Sequence, residues 1–171
     1  FIEADAALSS TAILDVSLKD SSPSVPVLFI LSPGSDVVSD LDILAEKQGL
    51  VKGTSYFNVA MGQGQDTFAE ELMFMGYKQG HWIILNNVHL MPRWMSKLER
   101  TIDEFSLESD GHERFRIFLT AEPSKNIPIG ILSRCIKLAN EPPSGLKSNL
   151  KRAFSSFEPT MFDEMDFKNR A

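Results

Sequence analysis

The chain has 171 residues, of which 43 % are hydrophobic and 23 % charged, the make-up of one globular domain or of one domain with part of a second. A net charge of −6 without a basic stripe argues against nucleic-acid binding, and Lys147, Lys151 and Arg152, spaced as one helix face, read as solvated surface. The single cysteine, Cys135, rules out an internal disulfide and a thiolate zinc site; it fits a reducing, intracellular setting and reads as a small buried hydrophobe.

No apolar run approaches the ~20 residues that span a bilayer, so no membrane association is expected. Phe1 opens the chain without a charged leader, and both ends read as cut from something longer. Residues 1–24 are mixed in character: Ala4 to Leu14 predict a short helix, and Asp20-Ser21-Ser22-Pro23 a loop. Val27 to Leu31 is a continuous apolar run between Pro26 and Ser32-Pro33-Gly34, the pattern of a strand buried on both faces. Leu41, Leu44, Ala45 and Gln48 then follow helical spacing, with Asp36 as N-cap and Gly49 as stop. Tyr56 to Met61 predict a second strand and Gly62-Gln63-Gly64-Gln65 a turn. A helix follows from Asp66 to Lys78, with Phe68, Ala69, Leu72, Met73 and Gly76 as its apolar stripe.

Trp82 to Leu85 form a third buried strand. Pro92 suits the first position of a helix whose Trp94, Leu98, Ile102 and Phe105 share a face. Arg114 to Thr120 read as a fourth strand and Ile136 to Leu138 as a short fifth. After the break at Pro142-Pro143, Ser144 caps a last amphipathic helix carrying Leu146, Leu150, Phe154 and Phe157. Strands and helices alternating at these intervals predict an α/β fold: a parallel five-stranded sheet with helices on both faces, in three layers, with any ligand at the carboxyl ends of the strands.

Chemistry is therefore sought at those ends. Ser32-Pro33-Gly34-Ser35-Asp36 stands where the phosphate loop of a P-loop NTPase would stand, but a working loop reads G-x-x-x-x-G-K-[ST]. Here there is one glycine, no Lys or Arg between Leu31 and Glu46, and an acid, Asp36, where phosphates would arrive. The third strand ends in Asn86-Asn87, where an Asp-Glu pair would hold magnesium and polarise water; asparagine is neutral and a poor base. The expected role of both asparagines is to satisfy backbone groups. Thr120 closes the fourth strand at a position suited to sensing a γ-phosphate, although a terminal Thr is common without that role. Arg134 precedes the fifth strand, suited either to reach a neighbouring module's nucleotide or to form an ordinary ion pair.

His81, His89 and His112 have no ligand spacing, so no metal site is expected, and His81 and His89 read as satisfied structural histidines. Gly62-Gln63-Gly64 lacks the third glycine of a dinucleotide fingerprint. Leu72, Met73, Phe74 and Met75 read as core, with an adaptable interface as the alternative.

The runs Val27 to Asp36, Gly62 to Gln65, Gly80 to Leu90 (GHWIILNNVHL) and Asn140 to Leu146 (NEPPSGL) resemble the sixth, C-terminal AAA+ module of dynein heavy chains, over about Asp20 to Phe157. Thr120-Ala121-Glu122-Pro123 and the tail from Phe162 are similar to an axonemal, outer-arm-type chain. The resemblance implies a lead-in at 1–24, an AAA+ large subdomain at 25–143 and the truncated start of a helical small subdomain at 144–171. It implies a non-hydrolysing ring module of a microtubule motor, with no cofactor of its own and with ATP and magnesium bound elsewhere in the ring. Its partners would be neighbouring AAA+ modules and, through the whole motor, microtubules and intermediate and light chains. Its setting would be the cytoplasmic cytoskeleton, in particular the ciliary or flagellar axoneme. The alternatives are a divergent or nucleotide-sensing NTPase domain, and a stand-alone interaction domain docking through Trp94 or the Met-rich helix.

Overall fold

The structure, a computed structural model, describes residues 10–140. The predicted lead-in helix residues 4–9, Pro142-Pro143 and the predicted helix after Ser144 lie outside the described residues. In chain order the elements are α1 (Ser10–Asp20), β1 (Val27–Leu31), α2 (Val38–Lys47), β2 (Tyr56–Ala60), α3 (Asp66–Gln79), β3 (Trp82–Asn86), a 3-10 turn (Val88–Leu90), α4 (Pro92–Leu107), β4 (Arg116–Ala121), α5 (Ile129–Arg134) and β5 (Ile136–Asn140).

The five strands form one sheet in the order β2-β3-β4-β1-β5, with every neighbouring pair parallel. Leu119 of β4 pairs with both Leu28 and Leu85, and Leu31 pairs with Asn140, so the carboxyl ends of the strands share one edge of the sheet. The continuous apolar runs follow from burial on both faces. Leu28 and Ile30 of β1, Ile83 and Leu85 of β3, and Ile117 and Leu119 of β4 face α3, α4 and α5. Val27, Phe29 and Leu31, Trp82 and Ile84, and Phe118 face α1 and α2. Because side chains alternate across a strand, an apolar residue at every position is what two covered faces require.

Several elements depart from their sequence pattern. α1 runs to Asp20, where a loop was expected, because Ile13, Leu14 and Leu18 pack into the core that α1 shares with α2 on one face of the sheet. Ser17 Oγ donating to Ile13 O, and Ser21 Oγ donating to Leu18 O, close the helix end. β4 starts at Arg116, two residues late, since Arg114 N is turned toward His112 Nδ1. β5 extends to Asn140, pairing with β1 along its whole length. α5 lacks a sequence signature: it is six residues long and opens with Ile131 N and Leu132 N donating to Pro128 O. Phe68, expected in the buried stripe of α3, is 50 % exposed, and Phe74 and Met75 are exposed as well, whereas Leu72 and Met73 are core. Trp94 is buried, so it offers no docking surface. Cys135 is buried as expected, and burial pushes its thiol up to about 12. Among the described residues no helix is long and apolar enough to cross a membrane.

Candidate functional site

Beyond β1 the chain turns at once. Ser35 N donates to Ser32 O (2.9 Å), Pro33 presets the backbone, and Gly34 takes φ 84°, a type II turn that favours glycine at its third position. Buried Val37 then anchors the entry to α2. Between the two, Asp36 folds back onto the helix it precedes: its Oδ1 accepts from Val38 N (2.8 Å) and its Oδ2 from Ser39 Oγ (3.3 Å). Asp36 is thus a cap, as expected, although set one residue ahead of the N-cap, Val37. The positive end of α2, where a phosphate would seek amide donors, carries the chain's own carboxylate.

Two strands across, Asn86 Nδ2 donates to Asn58 Oδ1 of β2, and Asn86 Oδ1 accepts from Thr120 Oγ1 (3.1 Å). The same Thr120 oxygen accepts from Asn87 N (3.0 Å). Thr120 is 3 % exposed, so its hydroxyl is a buried clip joining the ends of β3 and β4. Asn87 sits at φ 58°, the left-handed region that Asn tolerates better than most residues. The structure therefore brings Asn86, Asn87 and Thr120 together. It corrects the role given to Asn86, whose amide meets two side chains and no backbone group. Asn58 was missed; its signal is an amide in the middle of an otherwise apolar or aromatic strand, Tyr56-Phe57-Asn58-Val59-Ala60.

The histidines divide. His89 Nδ1 accepts from Glu122 N (3.1 Å), fastening the turn after β3 to the end of β4. His81, expected to be satisfied, is buried with its Nδ1 unpartnered; burial first, and His112 second, hold its pKa below the ordinary imidazole value.

Arg134 stands apart from this edge. α5 runs back toward the start of β5, at the amino-terminal side of the sheet. There Arg134 binds Asp103 through Nε (2.6 Å) and Nη2 (3.2 Å), Glu99 through Nη1 (3.1 Å), and Gly130 O (3.0 Å). A Cβ on Gly130 would overlap the Glu99 carboxylate, the far end of a flexible side chain, so a larger residue there would turn Glu99 away from Arg134. A cleft of about 470 Å³ opens beside the cluster, bordered by Ile102, Asp103, Ser106, Ser133 and Cys135. Among the described residues no three His, Cys, Asp or Glu side chains are grouped to hold a metal ion.

A parallel sheet of this order, whose first strand passes through a tight turn into a helix and whose polar stations close the two adjoining strands, defines a P-loop NTPase-like module of the AAA+ kind. A solved DNA polymerase III gamma subunit-related protein from Thermotoga maritima shares the fold, with a TM-score of 0.59 at 13 % identity, over 80 % of this chain and 47 % of that one. The family model described as the dynein heavy chain region D6 P-loop domain matches residues 22–139. The ciliary dynein beta chain of Heliocidaris crassispina is 40 % identical over 162 residues, 89 % of this chain and 4 % of that one. Human dynein axonemal heavy chain 17 gives the same figures. The Chlamydomonas reinhardtii dynein-1-beta heavy chain of the flagellar inner arm I1 complex is 42 % identical over 139 residues, 81 % of this chain and 3 % of that one.

The chain belongs to the dynein heavy chain family, and its relatives place it with the axonemal, cytoskeletal members. The inner-arm chain is as similar to it in identity as the ciliary beta chain. The chain spans only a few per cent of the length of those relatives.

Proposed function

We propose that this module is a non-catalytic, force-transmitting part of an ATP-driven microtubule motor, standing beside other AAA+ modules of a ring. One observation carries the reading: the Asp36 carboxylate accepts the Val38 amide at the head of α2. A phosphate arriving there would meet a tethered anion of its own sign, and no cation stands between Leu31 and Glu46 to offset it. The second station fits magnesium and water activation no better. Asn86 is neutral and its amide is already engaged by Asn58 and Thr120, so neither a carboxylate ligand nor a general base stands there. The residues of this edge do not fit a magnesium-bound triphosphate. Hydrolysis then belongs elsewhere in the ring, and this domain passes on rigid-body motion. Intermediate and light chains and microtubules are partners of the whole motor.

The test is equilibrium binding of a fluorescent ATP analogue with magnesium to the folded chain. The expected result is no saturable binding up to millimolar nucleotide. Saturable micromolar binding that is lost on mutating residues 32–36 would overturn the reading and make the module a nucleotide sensor.

A further inference from the structure

β2 forms one edge of the sheet. Trp82 N donates to Ser55 O (2.9 Å) and Met61 N to Asn86 O (2.9 Å), so residues 55, 57, 59 and 61 turn their backbone groups to β3 and the residues between turn theirs outward. The outward groups of Tyr56 are taken by the preceding turn: its N–H donates to Val51 O (3.1 Å) and its C=O accepts from Gly53 N (2.8 Å). Asn58 and Ala60, both exposed, each turn an N–H and a C=O outward with no backbone partner among the described residues. Exposed edges are commonly blunted by a charge, a proline or a bulge. Phe57 to Met61 carry no charged residue and no proline, and the register of β2 with β3 runs without a bulge.

An apolar flank borders this edge. On the face of the sheet that carries α3, α4 and α5, α4 is tied to α5 on one side through Arg134. On its other side it meets α3, where Glu70 binds Trp94 and Lys97, and Phe74 meets Phe105 edge to face. α3 is therefore the outermost helix, and its flank away from α4 lies along β2, the outermost strand. Phe68, Leu72 and Met75, at i, i+4 and i+7, form that flank. Leu72 is buried, whereas Phe68 is 50 % and Met75 37 % exposed. Phe57 of β2, partly buried, packs against the same core. Glu71 stands between Phe68 and Met75 toward solvent, exposed and with no ion pair among the described residues.

We propose that β2 takes up a further strand from another polypeptide, an extended segment with apolar, basic and apolar side chains at alternate positions. Its backbone pairs with the outward groups of Asn58 and Ala60. Its apolar side chains, on the α3 face, cover Phe68, Met75 and Phe57, and the Lys or Arg between them reaches Glu71. The edge demands an extended occupant, because a helix has spent its own backbone groups along its length. The unpaired carboxylate sets the occupant's charge. Its intervening side chains fall beside those of Asn58 and Ala60 on the other face. The proposal stands whether or not the strand-end site binds nucleotide.

The probe is a labelled peptide of about nine residues, with valine, lysine and valine at alternate central positions and threonine elsewhere. It is titrated against the 171-residue chain by fluorescence anisotropy. One control peptide carries glutamate for the lysine, and another is methylated on its central backbone nitrogens and cannot donate. The expected result is saturable binding of the lysine peptide, several-fold weaker binding of the glutamate peptide and none of the methylated one. Bound peptide slows amide hydrogen exchange at Asn58 and Ala60 but not at Phe57 and Val59. Ala60→Pro removes an outward donor and no ladder bond, so it weakens binding by roughly tenfold and leaves thermal unfolding unchanged. Glu71→Lys reverses the preference between the lysine and glutamate peptides. No saturable binding, equal binding of the methylated peptide, or unchanged exchange at Asn58 and Ala60 in the bound chain overturns the proposal. Two further results overturn its choice of occupant: protection of these two amides by self-association of the chain without peptide, or peptide binding that emerges only after deletion of residues 141–171.

Discussion

Thr120 carries the polar edge of the sheet on a single oxygen. Its hydroxyl donates to Asn86 and accepts from Asn87 N, and it is almost fully buried. Thr120→Val keeps the shape and strands both partners, so the unfolding free energy should fall by ~1–3 kcal/mol in urea titration. A variant as stable as the parent would mean that water replaces the hydroxyl. His81 makes a prediction in pH. Burial, with His112 second, lowers its pKa in the fold, so the unfolded chain holds more protons below the ordinary value near ~6.5. The sign follows: stability is full above that value and falls as the pH drops from it toward the lowered folded value. Titrating the urea midpoint from neutral to mildly acidic pH should show this fall, and His81→Phe should flatten it. Equal slopes in the two proteins would remove His81 as the cause. This behaviour was not legible in the sequence. Two histidines flanking one strand look alike there, and only the fold gives His89 a backbone donor and leaves Nδ1 of His81 with none.

Among elements, the closure of α5 on α4 rests on Arg134. Its half-exposed fork to Asp103 and contact with Glu99 make a network rather than an isolated surface pair. Arg134→Ala should therefore cost about 1 kcal/mol, the upper end for exposed pairs, and Arg134→Lys should restore only part of it because an ammonium cannot make the planar fork. Thermal unfolding of the three proteins measures this. If Arg134→Ala in a full motor left both ATPase and gliding unchanged, an inter-module role for this residue would be excluded. The elements also show where sequence pattern carries far and where it stops. β1, β3 and α4 are read from the chain because two-sided burial and a clear helical stripe leave a periodic trace. α5 leaves none, being held by Pro128 O and by contacts to α4 that are distant in sequence. α3 misleads at Phe68, where helical spacing alone does not tell an edge of the apolar stripe from its centre. At the strand ends Ser32–Asp36, Asn86, Asn87 and Thr120 could be found by counting from the strands. Asn58 could not, because its partner Asn86 lies on the neighbouring strand.

The proposed transmission of motion requires a module that moves as one body, and the packing of the sheet bears on that requirement. The same strands wall two cores: β1, β3 and β4 send alternate side chains to α3, α4 and α5 on one face and to α1 and α2 on the other. Neither core can be lost without stripping one side of strands that the other needs, so the two should unfold together. The chain's two tryptophans report one core each, Trp82 that of α1 and α2 and Trp94 that of α3, α4 and α5. Trp82→Phe leaves Trp94 as the sole reporter, and Trp94→Phe leaves Trp82. Each substitution also loses one indole hydrogen bond, to Arg114 O or to Glu70, so each variant is compared with its own circular dichroism and not with the other. In urea, the fluorescence and dichroism transitions should coincide within each variant. A tryptophan signal that moved ahead of the dichroism in either variant would mean that one helical layer lets go while the sheet persists. The domain would then yield under load at that layer, and rigid-body transmission would have to be given up in favour of a hinge within the module.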